Sequence, residues 1–162
     1  MKAAVHFLSK ALASCFFLTY PVVGWQKRTS QRWSGAGLIG TLAGLITSRS
    51  LPTDPWRGGL VLTGCICISV VVSDHAEVLM GQKDDQRIVI DEWAGYLTAV
   101  AFVPKTPYTL IAAFVLFRIL DVWKPLGVRA LGMLPGGWGI VLDDLAAGVL
   151  ANGLLRLILL ML

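Results

Sequence analysis

Six apolar stretches dominate the chain, at about residues 3–25, 34–48, 58–73, 88–103, 108–123 and 138–162. The breaks between them are short and carry turn and charge signals: Lys27-Arg28 with Arg32, Pro52-Thr53-Asp54-Pro55, Gly81-Gln82-Lys83-Asp84-Asp85, Pro104-Lys105-Thr106-Pro107, and residues 125–137. Long apolar runs joined by short connections read as helices packed antiparallel to their neighbours. Only 15% of the 162 residues are charged, against about 25% in soluble domains, so the bilayer is the expected solvent. The 17 glycines agree, because glycine is frequent where membrane helices pack closely. The expected fold is all-α: a polytopic membrane helical bundle with about four to six apolar helices, four or five of them true spans.

A span needs about 20 apolar residues. The fourth and fifth stretches reach that length only if Asp91, Glu92, Arg118 and Asp121 lie inside their helices. The first stretch, interrupted by His6 and Lys10, also suits a helix lying in the membrane interface. Residues 1–33 are therefore set apart as an N-terminal interfacial or membrane helix with a basic loop, and 34–162 as a membrane-embedded domain. Ala11-Leu12-Ala13 resembles a signal-cleavage site, but the apolar run resumes directly after it, so a removed leader is not expected.

The net charge of +4 does not indicate nucleic-acid binding, since the basic residues form no stripe with interleaved aromatics. Cys15, Cys65 and Cys67 are odd in number, and their spacing suits neither zinc nor a disulfide framework. They read as packed apolar thiols.

Helices two to six, crossing in alternation, bring the break at 83–92 and the region 118–144 to the same face as the entry to the second stretch. That face collects Glu77, Asp84, Asp85, Asp91, Glu92, Asp121, Asp143 and Asp144, with Asp74 one turn deeper than Glu77, whereas Asp54 lies opposite. It also holds Lys27, Arg28, Arg32, Lys83, Arg87, Arg118, Lys124 and Arg129; Arg49, Arg57, Lys105 and Arg156 lie at the other. The basic excess makes the acidic face cytoplasmic.

Carboxylates at or within a membrane are costly and are functional candidates. Grouped like charges need protonation, basic partners or a cation. An oxygen-only ligand set favours magnesium, manganese or calcium over zinc. Asp91-Glu92 and Asp143-Asp144 each open an apolar helix. One acid of each pair could serve the helix dipole, but adjacent residues point about 100° apart, so ligation is the better account of both doublets. Arg118, Asp121 and Lys124 share one helix face at i, i+3, i+6, either as a structural ion pair or as a phosphate grip. His75 reads as an interfacial or capping residue.

These residues resemble a known family. Lys83-Asp84 with Ile88-Val89-Ile90-Asp91-Glu92 and Gly95, then Phe117-Arg118-Ile119-Leu120-Asp121-Val122-Trp123-Lys124-Pro125, then Gly136-Gly137-Trp138-Gly139-Ile140-Val141-Leu142-Asp143-Asp144 with Ala147-Gly148, are similar in order and spacing to three signatures of phosphatidylglycerophosphatase A. An N-terminal signature of that family is only partly kept: Ala36-Gly37-Leu38-Ile39-Gly40-Thr41-Leu42 retains glycines and a hydroxyl but lacks the Pro, Thr and Trp.

The resemblance implies Mg2+-dependent hydrolysis of phosphatidylglycerol phosphate, a phospholipid substrate, to phosphatidylglycerol and phosphate. It also implies a multi-pass protein of the bacterial inner membrane, with the active site facing the cytoplasm. On that footing Asp84, Asp91, Glu92, Asp143 and Asp144 are the expected metal and water site. Lys83, Arg118 and Lys124 are expected to take the phosphate, and Asp121 to orient Arg118 or join the metal shell. A homo-oligomer is compatible with this reading. Two rival readings are a Mg2+-dependent lipid transferase and a non-enzymatic ion or proton carrier. The first lacks its Asp-x-x-Asp cluster, since Ala147 follows Asp144 at three positions and Ile88 follows Asp85. The second would spread its acids through the membrane depth.

Overall fold

The computed structural model describes residues 2–29, 35–125 and 127–161, with side chains for all of these except 26–29. Among the described residues the protein is all-helical: α1 (Lys2–Ala13), α2 (Thr19–Thr29), α3 (Ala36–Thr47), α4 (Pro55–Met80), α5 (Ile90–Ala99), α6 (Pro107–Trp123) and α7 (Gly136–Met161), with 3₁₀ turns at Ser48–Ser50 and Val128–Met133. The boundary placed between residues 33 and 34, and the side chains of Lys27, Arg28 and Arg32, lie outside the described residues.

The punctuation read from the sequence acts as capping chemistry. Asp54 accepts from the Arg57 N–H at 2.8 Å with Pro55 behind it, and α4 ends at Gly81 in the left-handed region (φ 71°). Thr106 accepts from the Thr109 N–H at the start of α6, again with proline in the first turn.

Two helices, α4 and α7, are each 26 residues long and apolar enough to cross a membrane. The other apolar stretches form shorter helices. At ~1.5 Å per residue, the 12-residue α3 and the 10-residue α5 fall well short of a ~30 Å hydrocarbon core. The first apolar stretch is not one helix. It breaks at Cys15, Phe16 and Phe17, all with positive φ. Tertiary bonds hold this turn: Val89 N–H donates to the Ala13 carbonyl at 2.8 Å, and the Thr19 hydroxyl to the Arg87 carbonyl at 2.9 Å.

Contacts along the helices set their directions. Gly37 of α3 lies against Glu92, Gly44 against Tyr96, and Gly148 of α7 against the Gly95 carbonyl. Asn152 of α7 donates to the Ala99 and Ala101 carbonyls beyond α5. Helices α3, α5 and α7 therefore run one way, with α4 and α6 returning between them. Small residues permit this: a Cβ on Gly95 would meet the Phe117 ring at 2.7 Å and the Asp144 carbonyl at 2.8 Å. Helix α5 sits at the centre, its Tyr96, Ala99 and Val100 packed with Ala113 and Phe117 of α6 and Ala147, Ala151 and Leu155 of α7. The carbonyls at its C-terminal end and just beyond are met by Asn152, Arg156 and Lys105.

Candidate active site

The alternation gathers the acidic and basic residues of three breaks at one end of the bundle. Helix α5 starts with Asp91 and Glu92 in its first turn, where the N-terminal dipole favours negative charge. Asp144, two turns into α7, faces them. Ligand oxygens of Asp91, Glu92 and Asp144 all lie within 4.8 Å of one another. Asp91 and Asp144 are buried, and Asp91 Oδ1 and Glu92 Oε2 have no hydrogen-bond partner. Buried oxygens of this kind are normally satisfied, and three converging carboxylates repel unless neutralised. The donor set and its orphaned atoms thus fit a hard divalent cation with oxygen ligands.

The basic partners come from α6. Arg118 bridges to Asp121 at 2.8 Å and donates to the Thr41 hydroxyl at 3.3 Å. A Cβ on Gly37 would meet Glu92 Oε1 at 2.2 Å and the Arg118 guanidinium at 3.1 Å, so glycine there leaves room for both. Lys124 ends α6 in the left-handed conformation, φ 44°. That turn, uncommon for a residue with a side chain, carries its ammonium back to Asp143, to Asp144 at 3.2 Å and to Asp121 at 3.7 Å. Burial alone would lower the Lys124 pKa, but Asp144, Asp143 and Asp121 together outweigh it and raise it. Asp84 also adopts a positive φ of 49°. Burial and the neighbouring Asp143 push its carboxyl above the ordinary range, opposed by Lys124 and Lys83.

Asp84, Asp91, Glu92, Asp121, Asp143, Asp144, Arg118 and Lys124 therefore share one electrostatic site, but not one role. The compact oxygen group is Asp91, Glu92 and Asp144. Asp143 is taken up by Lys124 and by the Asp144 N–H at 3.0 Å, and Asp84 stands outside the trio. Lys83 donates to the Leu134 carbonyl at 3.4 Å and touches no carboxylate of the trio. Asp85 is engaged by Arg87 through two side-chain bonds of 2.7 and 2.6 Å that brace the α4–α5 loop. Asp74 accepts from the Gly137 N–H at 3.1 Å and so caps α7. The partners supplied by α3, Gly37 and Thr41, lie in the incompletely kept N-terminal signature. Its surviving glycine and hydroxyl were the only signals that could have pointed to them.

The fold and site define a helical protein with two helices long and apolar enough to cross a membrane and a buried cluster of carboxylates beside an arginine and a lysine, a donor set suited to a cation and an anionic group. Comparison with known proteins sharpens this. The family model described as Phosphatidylglycerophosphatase A matches residues 16–159. Phosphatidylglycerophosphatase A of Escherichia coli (strain K12) is 37% identical over 125 residues, covering 75% of this chain and 73% of that protein. The Haemophilus influenzae (strain Rd) protein of the same name is 32% identical over 117 residues, 70% of each chain. A putative phosphatidylinositol-3-phosphatase of Bacteroides thetaiotaomicron is 44% identical over 70 residues, 41% of this chain and 44% of that one. No solved structure matches. The chain belongs to the phosphatidylglycerophosphatase A family, and is an enzyme of the phosphoric monoester hydrolase class.

Proposed function

We propose that the enzyme hydrolyses phosphatidylglycerol phosphate to phosphatidylglycerol and phosphate, with Mg2+ held by Asp91, Glu92 and Asp144. The observation that carries this reading is the convergence of those three carboxylates, two with unpartnered buried oxygens, beside Arg118 and Lys124. When bound, the ion would neutralise the carboxylates and polarise the phosphoryl group.

The chain's own residues supply the rest. Asp121 and Thr41 both engage Arg118 Nη1, anchoring the guanidinium for a grip on phosphate through its other nitrogens. Lys124 contributes a mobile second positive charge that leaves Asp143 and Asp144 as the substrate arrives. Asp143, released from Lys124, positions water, and Asp84, whose carboxyl is pushed above its ordinary range by burial and Asp143, protonates the leaving glycerol oxygen. The phosphorus–oxygen ester bond breaks, water oxygen joins phosphorus, and the alcohol leaves with a proton. Lys83 joins the phosphate grip only by swinging away from Leu134.

The proposal extends to a multi-pass chain of the bacterial inner membrane with this site at the cytoplasmic face. Exposed Trp56 and Tyr108 at one end, and Trp123 and Trp138 at the other, form two aromatic girdles. Helices α3, α5 and α6 then complete the membrane crossing as shorter elements, α5 enclosed and α3 and α6 each presenting an apolar face outward, through Leu38, Leu42 and Ile46 and through Ile111, Val115 and Ile119. The basic residues favour the carboxylate end.

The test is phosphate release by the purified protein, with and without Mg2+, from phosphatidylglycerol phosphate, phosphatidylinositol 3-phosphate and soluble phosphomonoesters. Glu92→Gln and Asp144→Asn should each lose at least a thousandfold in turnover while still inserting. Turnover independent of Mg2+, or retained in both variants, would remove this reading.

A further inference from the structure

Arg118 belongs to two places at once. Its guanidinium reaches Asp121 and the Thr41 hydroxyl inside the bundle and lies beside Gly37 and Glu92. Its side chain also lines, with Ile119, Val122 and Trp123, a hollow of about 390 Å3 on α6. The hollow faces outward, since Ile119 is 52% and Trp123 74% exposed. A single side chain therefore joins the carboxylate site to the apolar surface of the bundle.

Other flanks of the site are closed by backbone and ring contacts. Gly40 seats α3 on the Val89 carbonyl, Gly95 seats α5 on the Phe117 ring and the Asp144 carbonyl, and Gly137 seats α7 on the Val70 carbonyl of α4. A Cβ does not fit at these contacts, so a lipid chain does not pass between those helices. At Gly37 the close neighbours are instead the ends of the Glu92 and Arg118 side chains, which can turn. From there two exposed apolar rows lead away from the charged end. On α6, Ile119, Val115 and Ile111 recur every four residues, and on the antiparallel α3, Leu38, Leu42 and Ile46 do the same. Each row is about 12 Å long at ~1.5 Å per residue. At their far ends Leu45 and Ile46 of α3 and Leu110 and Ile111 of α6 line a second hollow, of about 340 Å3. The rows thus flank one groove, headed by Arg118.

We infer that the lipid phosphomonoester enters sideways from the bilayer at this α3–α6 flank, its phosphate passing to Arg118 while an acyl chain lies along Ile119 and Val122; the inference rests on the lipid-phosphatase reading above. Charge complementarity names the occupant: a cation in the wall of an apolar hollow suits a molecule with an anionic head and an apolar tail. Trp123 flanks the hollow at the charged end of α6, where an indole suits the headgroup level. A chain moving from lipid into this groove stays in apolar surroundings, so burial itself adds little. What the groove supplies is position, holding the phosphate beside Arg118. Ile119, Val122 and Trp123 thereby favour lipid over soluble phosphomonoesters.

Two measurements on the full chain in lipid nanodiscs test this. First, phosphatidic acid and phosphatidylcholine carrying the same diazirine-labelled acyl chain are photocrosslinked to the protein, and the modified residues are mapped by mass spectrometry. Phosphatidic acid should mark residues 111–123 and 38–46 about fivefold more than phosphatidylcholine does, and the outward faces of α4 and α7 no more than it does. Second, Ile119→Trp, which fills the hollow, should lower the ratio of kcat/KM for phosphatidylglycerol phosphate over glycerol 3-phosphate at least tenfold. Val149→Trp, on the exposed face of α7, should shift that ratio less than twofold. Equal marking by the two lipids, marking concentrated on α4 or α7, or an unchanged ratio in Ile119→Trp overturns the inference. Absence of phosphate release from every substrate would instead count against the phosphatase reading, and the crosslinking would still decide the entry flank. If Ile119→Trp does not fold, or glycerol 3-phosphate is not cleaved, the crosslinking decides alone.

Discussion

Gly40→Ala should separate the carboxylate trio without touching any of its members. A Cβ at Gly40 would lie 2.2 Å from the Val89 carbonyl oxygen and 3.0 Å from Val89 Cβ, where real Cβ atoms essentially never approach closer than 3.0 Å. Val89 cannot turn its carbonyl away. Its N–H is bound to the Ala13 carbonyl at 2.8 Å, and its own carbonyl accepts from the Trp93 N–H at 3.2 Å. The clash is therefore relieved by moving α3 and the start of α5 apart by nearly 1 Å, and Asp91 and Glu92 follow Val89 by two and three residues. Misplacement on this scale costs about 10²-fold in rate, and overpacking of this kind destabilises by ~1–3 kcal/mol. The assay is phosphate release in mixed micelles at saturating Mg2+, alongside thermal unfolding. Turnover should fall more than KM rises. Gly64→Ala is the control: Gly64 is exposed in mid-α4 with nothing within 4 Å of an added Cβ, so activity should hold and stability should change by less than ~1 kcal/mol, towards greater stability. A Gly40→Ala protein with wild-type turnover and unfolding temperature would refute the claim that this contact sets the site.

Thr41→Val keeps the side-chain shape but removes the 3.3 Å bond to Arg118; with Asp121 still holding the guanidinium, KM should rise about three- to tenfold, in line with ~1 kcal/mol for one hydrogen bond, and kcat should change less. Asp74→Ala uncaps α7 at Gly137 and should cost ~0.5–2 kcal/mol in unfolding experiments, with residual activity per folded molecule near normal. Burial pulls the Lys105 ammonium down to about 8 from 10.5. Between those values the unfolded chain holds a proton that the folded one has released, so this lysine's contribution to stability rises with pH from about 8 to 10.5. Unfolding temperatures of wild type and Lys105→Met, compared at pH 7 and 10, should show the wild type gaining on the variant as pH rises; a constant difference would contradict this.

The alternating path of the chain was legible because its breaks are written in residues with strong local chemistry. Asp54-Pro55, Thr106-Pro107 and Gly81 cap or end their helices as residues of those types do elsewhere, and alternation then dictates which carboxylates can meet. The break after Ala13 was not legible, because Cys15, Phe16 and Phe17 are apolar and include neither glycine nor proline. Bonds to Arg87 and Val89, some 70 residues away in sequence, hold that turn. Likewise the sequence offered five equivalent metal-ligand candidates. Their division is tertiary: oxygens of Asp91, Glu92 and Asp144 converge, while the left-handed turn at Lys124 carries its ammonium to Asp143 and, at 3.2 Å, to Asp144. No local pattern announces a left-handed lysine.

That division also follows from where each carboxylate sits on its helix. Asp91 and Glu92 lie in the first turn of α5, so part of the cost of holding them charged is met by the helix's own N-terminal N–H groups. Asp144 has no such help. It is eight residues into α7, about 12 Å from its start, where the dipole has faded, and it is buried. Its charge must be balanced from across the bundle, and the one cationic side chain in contact with it among the described residues is Lys124. If substrate phosphate draws Lys124 away, as proposed, Asp144 would need a replacement positive charge. A divalent ion held by Asp91, Glu92 and Asp144 would supply it, and metal binding and release of Lys124 to the phosphate would then favour one another.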